Sequence, residues 1–150
     1  MTINTDKIQI ASELLDRGLY MYYEGKSYFA ALHLAGGAEE ILGAYVELSG
    51  GESAFKNFQR TTVTLSKLFN EQEVTTPKMI SELMNHAKNR TKHMNSKDDE
   101  YVYFDPKVEA HILLDRAVSN YYTLMSLYDL PETDLISRFN HELIELETKE

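Results

Sequence analysis

Cysteine is absent from the 150-residue chain, which excludes disulfides, thiolate nucleophiles and cysteine-ligated zinc together. Any chemistry must use His, Lys, Asp, Glu or Tyr. Only three prolines and seven glycines interrupt the sequence, too few for a turn-rich sandwich or barrel, and the apolar content of 43% is too high for a disordered chain. No apolar run approaches the roughly 18 residues of a membrane-spanning helix, and residues 1–7 are polar, so no membrane association and a cytoplasmic location are expected. Positive charge is also scarce, with 15 Lys and Arg against 24 Asp and Glu and a net charge of −9. Such a total argues against non-specific coating of nucleic acid, so local charge matters more than the sum.

The length suits one domain. Six segments carry helical periodicity. Thr5 or Asp6 can cap the first, where Ile8, Ala11, Leu14, Leu15 and Leu19 recur at helical spacing as far as Gly25. Ser27 opens the second, which runs to the Gly50-Gly51 stop. A third is expected from Glu52 to about Glu71, although its Thr61-Thr62-Val63-Thr64 run lowers helix propensity. Thr76-Pro77 and Asp105-Pro106 each pair a capping residue with proline at the first helical position, opening helices four (residues 77–96) and five. Pro131 restarts a sixth through Ile136, Phe139, Leu143 and Leu146. The fold class predicted is all-α, an antiparallel helical bundle of five to six helices in a single domain of residues 1–150.

Ala30, Ala31, Ala35, Gly36, Gly37, Ala38, Gly43 and Ala44 put small side chains on nearly every turn of helix two, which predicts a central helix approached closely by its neighbours. Two adjacent glycines cost roughly 1 kcal/mol each relative to alanine, so they imply a packing reason. Gly36-Gly37 lacks the spacing of a phosphate-binding loop. Glu39, Glu40 and His33 interrupt the apolar surface. A carboxylate-bridged metal site would need a Glu-x-x-His on a facing helix, and that spacing does not occur, so no metal and no cofactor are expected. A capped or paired buried glutamate with a structural histidine is the reading preferred.

Helix four is the compositional oddity. At 100° per residue Ile80, Leu83, Met84, Ala87, Thr91 and Met94 share one arc, with Glu82, Asn85, His86, Asn89 and His93 opposite and Lys88 flanking the polar side. Residues 78–97 carry five Lys or Arg and one Glu, a local +4 against −13 for the remainder. Cations near a helix C-terminus are favoured by the helix dipole whatever their function. They also suit an anion site in which Lys and Arg neutralise charge, Asn donates hydrogen bonds and His moves a proton.

Two stretches, ASELLDRGLY (residues 11–20) and YFAALHLAGGAEEILGAY (residues 28–45), together with Lys88-Asn89-Arg90-Thr91-Lys92-His93, resemble the HEPN (higher eukaryote and prokaryote nucleotide-binding) domains. In that family a helix of similar pattern ends in an Ala-Glu pair followed by apolar residues, and an arginine and a polar residue are followed by a histidine four to six residues beyond the arginine, which Lys88 to His93 matches with four intervening residues and Asn89 in the polar slot. Lys88 stands where the family has arginine; it keeps the charge but lacks the planar fork that grips phosphate. The resemblance implies a homodimer that binds RNA or a nucleotide, as a metal-independent ribonuclease or a toxin- or defence-associated module. In that scheme His93 is general acid or base, Lys88 stabilises the charged intermediate and Asn89 orients the phosphate, with Arg90, Lys92, Lys97 and His86 holding nucleic acid. The alternative is a non-catalytic helical module that binds a protein partner, which the lysine and the acidic total favour. His111 and His141 read as structural or surface residues. Tyr101 and Tyr103, beside the basic helix end, can stack on bases.

Overall fold

The computed structural model describes residues 1–69 and 75–149, and among these residues the secondary structure is helical, with no strand. The α-helices are α1 (Lys7–Tyr20), α2 (Tyr28–Leu48), α3 (Ala54–Phe69), α4 (Pro77–Met84), α5 (His86–Lys92), α6 (Pro106–Met125) and α7 (Asp134–Glu147). A π-helical turn, Met21–Gly25, extends α1, and a 3-10 turn, Lys97–Asp99, follows α5. The helical bundle expected from the periodicity is therefore present. The end of the third helix near Glu71 lies outside the described residues.

Helix α2 lies against α1, α6 and α5, as its small residues require. Ala31, Ala35 and Ala38 are wholly buried, with Leu32 and Leu42 beside them. On α1, a Cβ added at Gly18 would lie 3.4 Å from the Ala35 nitrogen and the Leu34 Cβ, so the two backbones meet where neither can carry much side chain. Lys26 then takes a left-handed conformation (φ 48°) and turns the chain from the π-helical turn into α2.

Helix α6 begins as its sequence dictates. The Asp105 carboxylate accepts from the Lys107 and Val108 amides, and Pro106 takes the position where no donor is needed. Leu113, Leu114, Ala117, Val118, Tyr121 and Leu124 carry the core along it. The buried Tyr121 hydroxyl donates to the Pro131 carbonyl at 2.6 Å. Helix α7 closes over α1 and α6 with Ile136 and Phe139 buried. Thr133 links the two ends of the chain, donating to Asp16 at 2.7 Å and accepting from the Ile136 amide.

Two sequence expectations shift, in helix four and at Pro131, and α3 buries a face the sequence did not assign. Helix four is two helices, because Asn85 (φ −96°, ψ 0°) departs from helical geometry, and the second ends at Lys92 with His93 extended. The single wheel for residues 77–96 therefore fails. Leu83 and Met94, assigned to its apolar arc, are exposed, whereas Lys88, assigned to the polar flank, is buried. Pro131 does not open α7; Thr133 caps it, and Pro131 instead supplies the carbonyl that Tyr121 needs. Finally α3 turns its half-buried Phe55, Gln59, Val63 and Ser66 inward and leaves Phe58, Leu65, Leu68 and Phe69 exposed.

Leu114 is fully enclosed at the contact of α6 with the core. Leu114→Ala should lower unfolding free energy by about 2–5 kcal/mol through lost burial and a residual cavity, measured by denaturant melts.

Candidate nucleic-acid interface

Consecutive residues on a helix point 100° apart, so Glu39 and Glu40 address different neighbours. Glu39 is buried and pairs with the buried Arg116 of α6, Oε1 to Nε at 3.3 Å, a charge contact without the alignment of a hydrogen bond. Burial pushes the Glu39 carboxyl above the usual carboxylate range, and the charges of Arg116 and Lys88 oppose that rise. The Arg116 Nη2 has no partner among the described residues, and its guanidinium lies 5.6 Å from the centre of the Phe55 ring.

Glu40 reaches the other way and forms an ion pair with Lys88 of α5, whose stem is buried while the Glu40 carboxylate faces water. That stem crosses α2 at Gly36. A Cβ there would lie 2.7 Å from Lys88 Cδ, which accounts for the first of the two adjacent glycines. A turn further along α5, the Thr91 hydroxyl donates to the Ala87 carbonyl at 2.8 Å and lies 2.8 Å from His33 Nε2. A hydroxyl has one proton, so holding both contacts at once requires His33 to donate from Nε2–H. Burial, and then Lys92 and Lys88, lower the His33 pKa from its ordinary 6.5.

With its inner face held this way, α5 presents His86, Asn89, Arg90 and Lys92 to solvent, and His93 follows beyond the helix end. The chain then folds back through the 3-10 turn. Arg90 pairs with Asp99 at 2.6 Å, and the Asn95 amide donates to the other Asp99 oxygen at 3.1 Å. This return brings the next residues over α5, where His86, Arg90, Tyr101, Val102 and Tyr103 line a cleft of about 260 Å³. Tyr101 and Tyr103 are exposed, and no shared hydrogen bond joins Lys88, Asn89 and His93 among the described residues. Lys97 lies in the 3-10 turn at the edge of this segment.

No family model matches the chain, and no curated protein or solved structure matches it either. The chemistry of the site therefore rests on its geometry. Glu39, Glu40 and His33 each engage a different partner and do not converge, and among the described residues no group of three or more His, Asp or Glu could hold a metal ion. No helix among the described residues is long and apolar enough to cross a membrane. The cleft combines two stacking surfaces with a guanidinium and an imidazole, a set that suits a base and its phosphate. Arg116 and the tie between Gly36 and Lys88 were missed from sequence. The available signal was the glycine pair itself, together with two carboxylates in a helix otherwise too apolar to solvate them.

Two tests follow from these contacts. Gly36→Ala should destabilise the fold by about 1–3 kcal/mol by overpacking against Lys88, whereas in a Lys88→Ala background the same change should stabilise by up to about 1 kcal/mol through helix propensity; a double-mutant cycle by denaturant melts reads the change of sign. His33 binds its proton less readily folded than unfolded. Stability should therefore be full above about pH 6.5 and should fall as pH drops from there through the lowered folded pKa. His33→Gln should flatten that part of the stability–pH curve.

Proposed function

We propose that this chain is a HEPN-like domain that binds RNA or a nucleotide at the cleft between α5 and the tyrosine segment, acting as a homodimer in a toxin- or defence-associated setting. The observation that carries the reading is the meeting of His86, Arg90, Tyr101 and Tyr103 around one cleft. Exposed tyrosines offer faces on which unpaired bases stack whatever their sequence, at about 1–3 kcal/mol per base. Arg90 has one Nη held by Asp99 and keeps its other N–H groups for a phosphate, with Lys92 and Lys97 adding positive potential along the same segment. Asp98, Asp99 and Glu100 adjoin these cations, so stacking supplies more of the affinity than charge does.

Binding stands ahead of cleavage in this reading. A metal-independent ribonuclease would need Lys88 at the developing negative charge, and Lys88 is buried and committed to Glu40. Asn89 and His93 remain accessible, and His93 is the residue through which any acid or base step would run.

Titration with a labelled single-stranded RNA tests the proposal. Tyr101→Ala and Tyr103→Ala should each weaken binding by roughly 5- to 100-fold. Arg90→Ala should cost less and reduce the slope of log affinity against log salt by about one. RNA turnover in EDTA that disappears in His93→Ala would establish cleavage, and turnover unchanged in that variant would remove His93 from any mechanism. Equal affinity of the tyrosine variants and the parent would overturn the cleft as the binding site.

A further inference from the structure

The opposite property, apolar surface rimmed by negative charge, is concentrated where α3, α4 and α6 meet. Phe58, Leu83, Met84 and Ile112 line a cleft of about 360 Å³ together with Glu109, Asp115 and Arg116. Phe58 is 54% exposed, Leu83 72% and Ile112 42%. Each wall continues along its helix at the spacing that keeps one face: Leu65 two turns from Phe58, Met79 one turn from Leu83, and Val108 one turn from Ile112, all exposed. A second cleft of about 520 Å³ adjoins the first through shared Phe58, Asp115 and Arg116, and it is lined further by Glu52 and Glu147.

An apolar groove walled by helices is the shape that receives the apolar face of another helix. Its charged groups select which helix. Arg116 is buried with its charge balanced by Glu39, although its Nη2 has no hydrogen-bond partner among the described residues, and Glu52 is paired with Arg60 at 2.9 Å. Glu109 and Asp115 have no ion-pair partner among the described residues, so the charge available at the groove is negative. A second copy seated in this groove through the same face would bring the same two carboxylates against them, whereas a basic helix would neutralise them. We infer that this groove binds an amphipathic helix of a partner protein, its apolar stripe against Phe58, Leu83 and Ile112 and its Lys or Arg flank against Glu109 and Asp115. This docking surface is independent of the RNA-binding reading.

The test uses the full chain and three synthetic, fluorophore-labelled peptides of about 18 residues, or five helical turns. One carries leucines at i, i+3, i+4 and i+7 with lysines elsewhere. In the second glutamates replace the lysines, and in the third the leucines are redistributed so that no stripe remains. The striped lysine peptide should bind saturably and at least ten-fold more tightly than either control. The Phe58→Ser, Leu83→Ser double variant should weaken it ten-fold or more, and Glu109→Gln with Asp115→Asn should weaken it several-fold and flatten its salt dependence. These are surface changes, and circular dichroism melts verify that each variant is folded. Absence of saturable binding, equal affinity for the glutamate or stripeless peptide, or binding insensitive to the Phe58 and Leu83 changes would each overturn the inference. So would a parent dimer in sedimentation that becomes monomeric in the double serine variant, since the groove would then be filled by a second copy.

Discussion

Adjacent carboxylates on one helix, each drawing a different cation out of water, hold three helices of this protein in a single relation. Glu39 binds α2 to α6 through Arg116, and Glu40 binds it to α5 through Lys88. Neither pair is a large net source of stability: desolvation of both partners offsets most of the Glu39–Arg116 attraction, and at the other pair Lys88 loses water while the exposed Glu40 carboxylate is screened by it. Their effect falls on alternatives. A rotation of α2 or a slip of α6 that separated Glu39 from Arg116 would leave an uncompensated charge among Leu and Ala side chains. The small residues of α2 permit many close packings, and the charges favour one.

This arrangement also determines how much of the basic segment is available to a ligand. The +4 counted over residues 78–97 includes Lys88, which Glu40 neutralises, and Arg90, which Asp99 neutralises. The field that solvent sees is smaller than the formal count. The surface that remains is defined by shape and aromatic rings as much as by charge. On the α3, α4 and α6 side the reverse holds, with apolar side chains outward and carboxylates at the rim. The two surfaces differ in chemistry, one aromatic with cations beside it, the other apolar with carboxylates beside it.

The helical architecture was legible because its signals are local. Capping residues before Pro77 and Pro106, the glycine stop after α2 and the spacing of Leu14, Leu15 and Leu19 each act within one or two turns of chain. The central position of α2 was equally readable from its alanines and glycines. The inward turn of Lys88 was not, since its partner Glu40 is distant in sequence and a wheel assumes an unbroken helix, which Asn85 interrupts. Nor could periodicity show that α3 would face its best apolar stripe to solvent. Amphipathicity gives the existence of a face but not its destination. The cleft of Tyr101 and Tyr103 depends on a chain return fixed by Asp99, which no local pattern announces.

The crossing of Lys88 over Gly36 bears on how this chain can change over generations. While a long side chain spans the glycine, alanine at position 36 overpacks; once position 88 shortens, that cost disappears. Of the two orders in which both positions can change, only the one that begins at 88 avoids the overpacked intermediate. Descendants of this sequence should therefore vary at the two positions together, and a small residue at 88 should precede any side chain at 36.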